Sequence, residues 1–134
     1  MPRRYQIATM AYAAFLLFVA CSPHLPQRKP PVARPDLYVH AILYAGLAAV
    51  IARGLFRSSR HYSKAVQFWL PVAAASGYGL LLEAVQLLIP SRSFGWDDFF
   101  ADTAGALAAQ IALHVYWKRR PSVKIHATES PPKG

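Results

Sequence analysis

The chain has 134 residues, 54% of them hydrophobic, with 15 Lys and Arg against 6 Asp and Glu. That length allows one domain. A net charge of +9 would suit a nucleic-acid binder if it were spread over a folded surface, but here it falls in short bursts between apolar blocks, which excludes that class.

The apolar blocks cover residues 6–21, 37–52, 65–89 and 99–117. A helix of about 20 apolar residues crosses the hydrocarbon core of a bilayer, with about 17 as a lower limit. The third and fourth blocks meet that length, and the first two reach it with Tyr5, Tyr38 and Phe56 as interfacial ends. A soluble helical bundle needs polar outer faces on its helices, and stretches such as "MAYAAFLLFVAC" and "AILYAGLAAVIA" have none. The expected architecture is all-α: a polytopic membrane protein built as a bundle of four transmembrane helices.

The first block has an alternative reading. "MPRR", an apolar run and "FVAC" outline a secretory signal ending at a lipid-modified Cys21. Against it, Phe18 is bulky for a cleavage motif, and Cys21 serves equally as a small hydrophobe at the end of a first span. A single cysteine excludes an internal disulfide.

Next comes "SPHLPQRKPPVARP", residues 22–35, a Pro-rich basic connector without helical periodicity. The second block follows, then "RGLFRSSRHYSK" at 53–64, a short basic loop suited to anionic lipid. The third block carries Pro71, tolerated in a span whose neighbours satisfy the freed backbone. Small residues in "AAASGYG" on the third block, and Ala101, Gly105, Ala109 and Ala112 on the fourth, favour close helix approach. Residues 1–117 therefore form the membrane domain, and the basic tail 118–134 cannot bury a core and is expected to be disordered.

Charge sets the orientation. With four crossings, one side collects Arg3, Arg4, Arg53, Arg57, Arg60, Lys64, Lys118, Arg119, Arg120, Lys124 and Lys133, and the other only Arg28, Lys29, Arg34 and Arg92. Positive short loops resist translocation, so both termini are expected in the cytoplasm.

Against that frame the acids stand out. Glu83 precedes Pro90 by seven residues, which is about 10 Å of helix. Asp36, His40 and Tyr44 share one face of the second helix at i, i+4, i+8, and Asp98, Asp102 and Gly105 share a face of the fourth. Asp36, Glu83, Asp97, Asp98 and Asp102 all fall toward the outer side, leaving only Glu129 elsewhere. A carboxylate at a helix centre disfavours insertion by about 2.5 to 3.5 kcal/mol, so Glu83 needs a donor, and His40, Gln86 and Arg92 are the candidates.

No Gly-rich phosphate loop, zinc-type Cys/His spacing or nucleophile elbow is present, and no cofactor is expected. Three functions of different classes remain open. The cluster could bind or act on lipid headgroups or cell-wall precursors at the outer leaflet, with Glu83 and His40 as acid/base groups and Arg92 as an anion contact. It could only hold helices together in a structural or accessory protein. Its Asp, Glu and His could ligate a metal, though no dedicated ligand spacing supports that.

The segments "DLYVHAILYAGL" and "EAVQLLIPSRSFGWDDFFADTAGALAA" resemble the VanZ-like membrane proteins, whose pattern is Asp, His and Tyr on one helix, Glu-x-x-Gln before Pro and Arg-Ser, then Asp and Asn ahead of Gly. Asp36, His40, Tyr44, Glu83, Gln86, Pro90, Arg92, Ser93, Asp98 and Gly105 match it, over residues 36–109. Leu37 stands where many members have Lys, and Asp102 where many have Asn. The resemblance implies a small bacterial polytopic membrane protein, and a family link to reduced susceptibility to the glycopeptide teicoplanin. It implies a site of Asp36, Tyr44, Gln86, Arg92, Ser93, Asp98 and Asp102 around Glu83 and His40.

Overall fold

The structure is a computed structural model that describes residues 1–22, 35–89 and 95–119. It contains four helices: α1 Arg3–Cys21, α2 Pro35–Phe56, α3 Lys64–Gln86 and α4 Trp96–Arg119. Short connections make sequential helices antiparallel, so the end of α1, the start of α2, the end of α3 and the start of α4 lie together.

Local signals set the helix ends. Ser63 caps α3, its Oγ accepting the Val66 N–H at 3.3 Å, which satisfies one orphan donor of the first turn. Asp97 and Asp98 stand in the first turn of α4, and Lys118 and Arg119 in its last, where each sign complements the helix dipole. Gln86 ends α3, and Leu88 N–H and Ile89 N–H then close tighter turns on Val85 and Gln86 carbonyls. The helix therefore stops three residues inside the apolar block 65–89, whereas α2 and α4 run past theirs because charged and polar residues continue the helix beyond the hydrocarbon-matched stretch.

α2 and α4 form the most extensive pair, α3 packs on both, and α1 lies at the periphery against α2 with a lesser contact to α3. The core is Leu16, Tyr44, Leu47, Ala48, Val72, Ala75, Leu82 and Ala106. Gly105 makes the α2–α4 pairing possible, because a Cβ there would run into the backbone carbonyl of Ala41. The small-residue stripe of α4 holds for Ala101, Gly105 and Ala109 but ends before Ala112, which is exposed. Two tyrosines tie α1 down: the Tyr12 hydroxyl donates to the Leu43 carbonyl at 3.0 Å, and the Tyr78 hydroxyl to the Ala13 carbonyl at 2.7 Å.

The partition of side chains is inverted relative to a water-soluble bundle. The buried polar residues are Glu83, Gln86, Asp102 and Gln110, while Met10, Phe18, Tyr38, Ile42, Trp69, Leu88 and Phe100 are exposed. Such an apolar perimeter is stable only against lipid. Three helices, α1, α2 from Asp36, and α3, are long and apolar enough to cross a membrane. α4 has the length, at 24 residues, but not the apolarity. Its interior carries Asp102, Thr103 and Gln110, so the expected bundle of four transmembrane helices is supported by length and apolarity for three helices and not for the fourth.

Candidate functional site

At the end of the bundle where α1 and α3 finish and α2 and α4 begin, His40 of α2 meets Asp102 of α4. The His40 Nδ1 and Asp102 Oδ1 are 2.9 Å apart. The carboxylate is fully buried while 29% of the imidazole remains accessible. An ionised carboxylate accepts only, so with Asp102 ionised this bond takes its proton from Nδ1, and a neutral imidazole then carries its lone pair on Nε2. The Tyr44 ring, one turn further in, stacks parallel to the imidazole at 6.3 Å and 5°.

Asp102 is confined on its other side as well. A Cβ on Gly79 of α3 would meet Asp102 Oδ2 and the Tyr44 ring, so glycine at 79 leaves the room the carboxylate occupies. Oδ2 itself is buried without a hydrogen-bond partner among the described residues, as are Asp36 Oδ1 and Asp98 Oδ1. Such an oxygen costs about 1 to 3 kcal/mol when left unsatisfied, and three of them at one end of a bundle mark a place where a donor from outside the chain would be stabilised.

Glu83 lies at the same depth on α3 and is 2% exposed. Its Oε2 accepts the Gly95 backbone N–H at 2.9 Å, which fastens the end of α3 to the residue before α4. The sequence offered Glu83 a side-chain donor among His40, Gln86 and Arg92; Arg92 lies outside the described residues, and His40 and Gln86 bond elsewhere. His40 is engaged by Asp102, and the Gln86 amide donates to the Ala20 carbonyl of α1 at 3.2 Å. His40, Tyr44, Glu83 and Gln86 nevertheless border one small cavity of about 60 Å³, closed by Leu16 and other apolar side chains. At about 10 to 15 Å³ for each water by this measure, it holds a few waters or one small substituent.

The structure thus brings together His40, Tyr44, Glu83, Gln86 and Asp102. Asp36 and Asp98 stand half-buried at the same end, in the first turns of α2 and α4. Arg92 and Ser93 lie outside the described residues. Among the described residues no group of three or more His, Cys, Asp or Glu is spaced to hold a metal ion, so the metal hypothesis gains no support from the geometry.

Residues that sequence reasoning passed over also matter. Gly79, which the sequence marked only as part of a small-residue stretch, and Gly95 give Asp102 and Glu83 their surroundings, and no sequence signal ties either glycine to a carboxylate. Gln110, 2% exposed, donates to the Ala48 carbonyl at 3.3 Å. An amide in the middle of an apolar helix was a readable signal.

A family model described as VanZ/LLP1 matches residues 13–117. No curated protein and no solved structure matches the chain.

Proposed function

The chain belongs to the VanZ/LLP1 family, and we propose that it is a four-span protein of the bacterial inner membrane whose acid-rich end faces the outer leaflet. There it binds the headgroup of a cell-envelope lipid or lipid-linked cell-wall precursor and exchanges a proton with it. The observation that carries this reading is the His40–Asp102 pair: a fully buried carboxylate bonded at 2.9 Å to a partly accessible imidazole. Asp102 holds the ring and its tautomer, so Nε2 is the atom that takes up or returns a proton. A headgroup is too large for the 60 Å³ cavity and stands outside it, against the accessible part of His40. Asp36 and Asp98 then offer acceptors to its hydroxyl or ammonium groups, and Arg92 and Ser93 are assigned to the headgroup's anionic part.

α4 crosses the membrane in this reading despite its lower apolarity, because Asp102 and Gln110 face α2 and α3 instead of lipid. Both termini are cytoplasmic.

A second reading has its own observations. Gln86 to Ala20 and Gln110 to Ala48 are helix-to-helix ties, and a cluster made of such ties would be structural only. One experiment separates the two: lipid and cell-wall-precursor profiling, with teicoplanin susceptibility, in a strain lacking the protein and complemented with wild type, His40→Gln, Asp102→Asn or Glu83→Gln at matched membrane abundance. Wild type is expected to restore the profile and the three variants are not. Full restoration by all three would make the accessory reading the right one.

A further inference from the structure

Another cavity lies at the opposite end of the molecule from the His40–Asp102 pair. It measures about 380 Å³ and is bordered by Lys64 at the start of α3, Lys118 and His114 near the end of α4, Gln110 at its inner side, and the Phe56 and Trp117 rings. Those two rings stack at 4.5 Å and 12°, forming an apolar wall. Two lysines from different helices therefore border a half-open space that, among the described residues, no carboxylate borders.

The charge around it is one-sided. Among the described residues every Lys and Arg lies at this end (Arg3, Arg4, Arg53, Arg57, Arg60, Lys64, Lys118 and Arg119), while Asp36, Glu83, Asp97, Asp98 and Asp102 lie at the other. Two cations that border one space favour an anion between them. The polar lining includes donors. The Gln110 amide nitrogen carries two N–H groups, one of which goes to Ala48, and the first turn of α3 adds the positive end of its helix dipole. The aromatic wall and the exposed Trp69 and Tyr116 nearby are residues that favour the depth of lipid headgroups.

We propose that the cavity between α2, α3 and α4 at the basic end of the bundle is a binding site for the phosphodiester of an anionic phospholipid, held by Lys64 and Lys118, with its acyl chains along the Phe56–Trp117 face. The site is separate from the acid-rich cluster and uses none of its residues. Lysines near an anionic surface each contribute roughly fivefold in binding, so the pair gives a preference of about 25-fold over a zwitterionic lipid.

Trp117 makes the site readable. In a Trp69→Phe/Trp96→Phe background it is the remaining tryptophan of the chain. The full-length protein is reconstituted in phosphatidylcholine vesicles containing phosphatidylglycerol brominated near the top of its acyl chains, or brominated phosphatidylcholine at the same mole fraction. Quenching is expected to follow the brominated phosphatidylglycerol with the stated preference. Lys64→Gln/Lys118→Gln abolishes it, while Lys64→Arg/Lys118→Arg, which keeps the charge, retains it. The control Arg3→Gln/Arg60→Gln removes the same charge from exposed positions that do not border the cavity and leaves the preference in place. Equal quenching by the two lipids overturns the proposal, as does loss of the preference in the control, which would make the effect one of general surface charge. Suppression of the preference by millimolar inorganic phosphate would assign the site to free phosphate and overturn the lipid as its occupant.

Discussion

Two residues, His40 and Asp102, carry the proposed chemistry, and their unequal burial decides how each responds to change. Asp102 has no access to solvent, so removing its partner leaves a buried carboxylate uncompensated. His40→Phe is therefore expected to lower stability by about 3 kcal/mol, the lower end of what breaking a buried pair costs, read as a fall in melting temperature of the detergent-solubilised protein. Replacing both groups removes the stranded charge, so His40→Phe/Asp102→Leu should be more stable than His40→Phe alone. Asp102→Asn keeps an acceptor for the Nδ1 proton and should change stability by less than about 1 kcal/mol, while removing the negative charge that supports a protonated imidazole. Loss of function with retained stability in that variant is the signature of a proton-transfer role. Loss of both would place Asp102 among the packing residues.

Helices carry that pair to its position, and the α2–α4 contact does so most directly. Gly105 stands three residues after Asp102 and leans on the backbone of Ala41, the neighbour of His40. The absence of a side chain at one position thus sets the distance across which His40 and Asp102 bond. Gly105→Ala forces the backbones apart and is expected to cost about 1 to 3 kcal/mol, with loss of site function alongside. Gly77→Ala is the matched control, since a Cβ there meets nothing, and helix propensity alone predicts a gain of up to about 1 kcal/mol. Equal melting temperatures for the two variants would remove the close-approach argument. This geometry also explains what the sequence could and could not convey. Hydrophobic length gave α1, α2 and α3, and helical spacing put His40 and Tyr44 on one face with the acids at the same depth. Which carboxylate reaches His40 depends on how closely two helix axes approach, a tertiary quantity that spacing along one chain does not encode. Depth made His40 one of three candidate donors for Glu83, and Asp102 takes the His40 ring because a glycine lets α4 come nearer. The lower apolarity of α4 has the same origin: its polar residues were legible, but the helices that bury them were not.

For the molecule as a whole, the described charges form a dipole along the bundle, eight Lys and Arg at one end and five acids at the other. An acid-rich end opposes insertion far less than a basic one does, because short positively charged segments are retained in the cytoplasm while acids contribute little. Lys and Arg flank α1 on its N-terminal side, the α2–α3 connection on both sides and the end of α4, so all three basic segments favour the same, cytoplasmic side. Reporter fusions after residues 60 and 125 should accordingly read cytoplasmic, and fusions near residues 30 and 94 external. The fusion near 94 carries the most information, because it follows α3 and precedes the helix whose apolarity falls short. An external reading there together with a cytoplasmic one at 125 establishes that α4 crosses the membrane with Asp102 and Gln110 inside the bundle. A cytoplasmic reading at 94 would put the His40–Asp102 pair on the inner face, beyond the reach of any outer-leaflet headgroup, and the site would then have to be sought among cytoplasmic ligands.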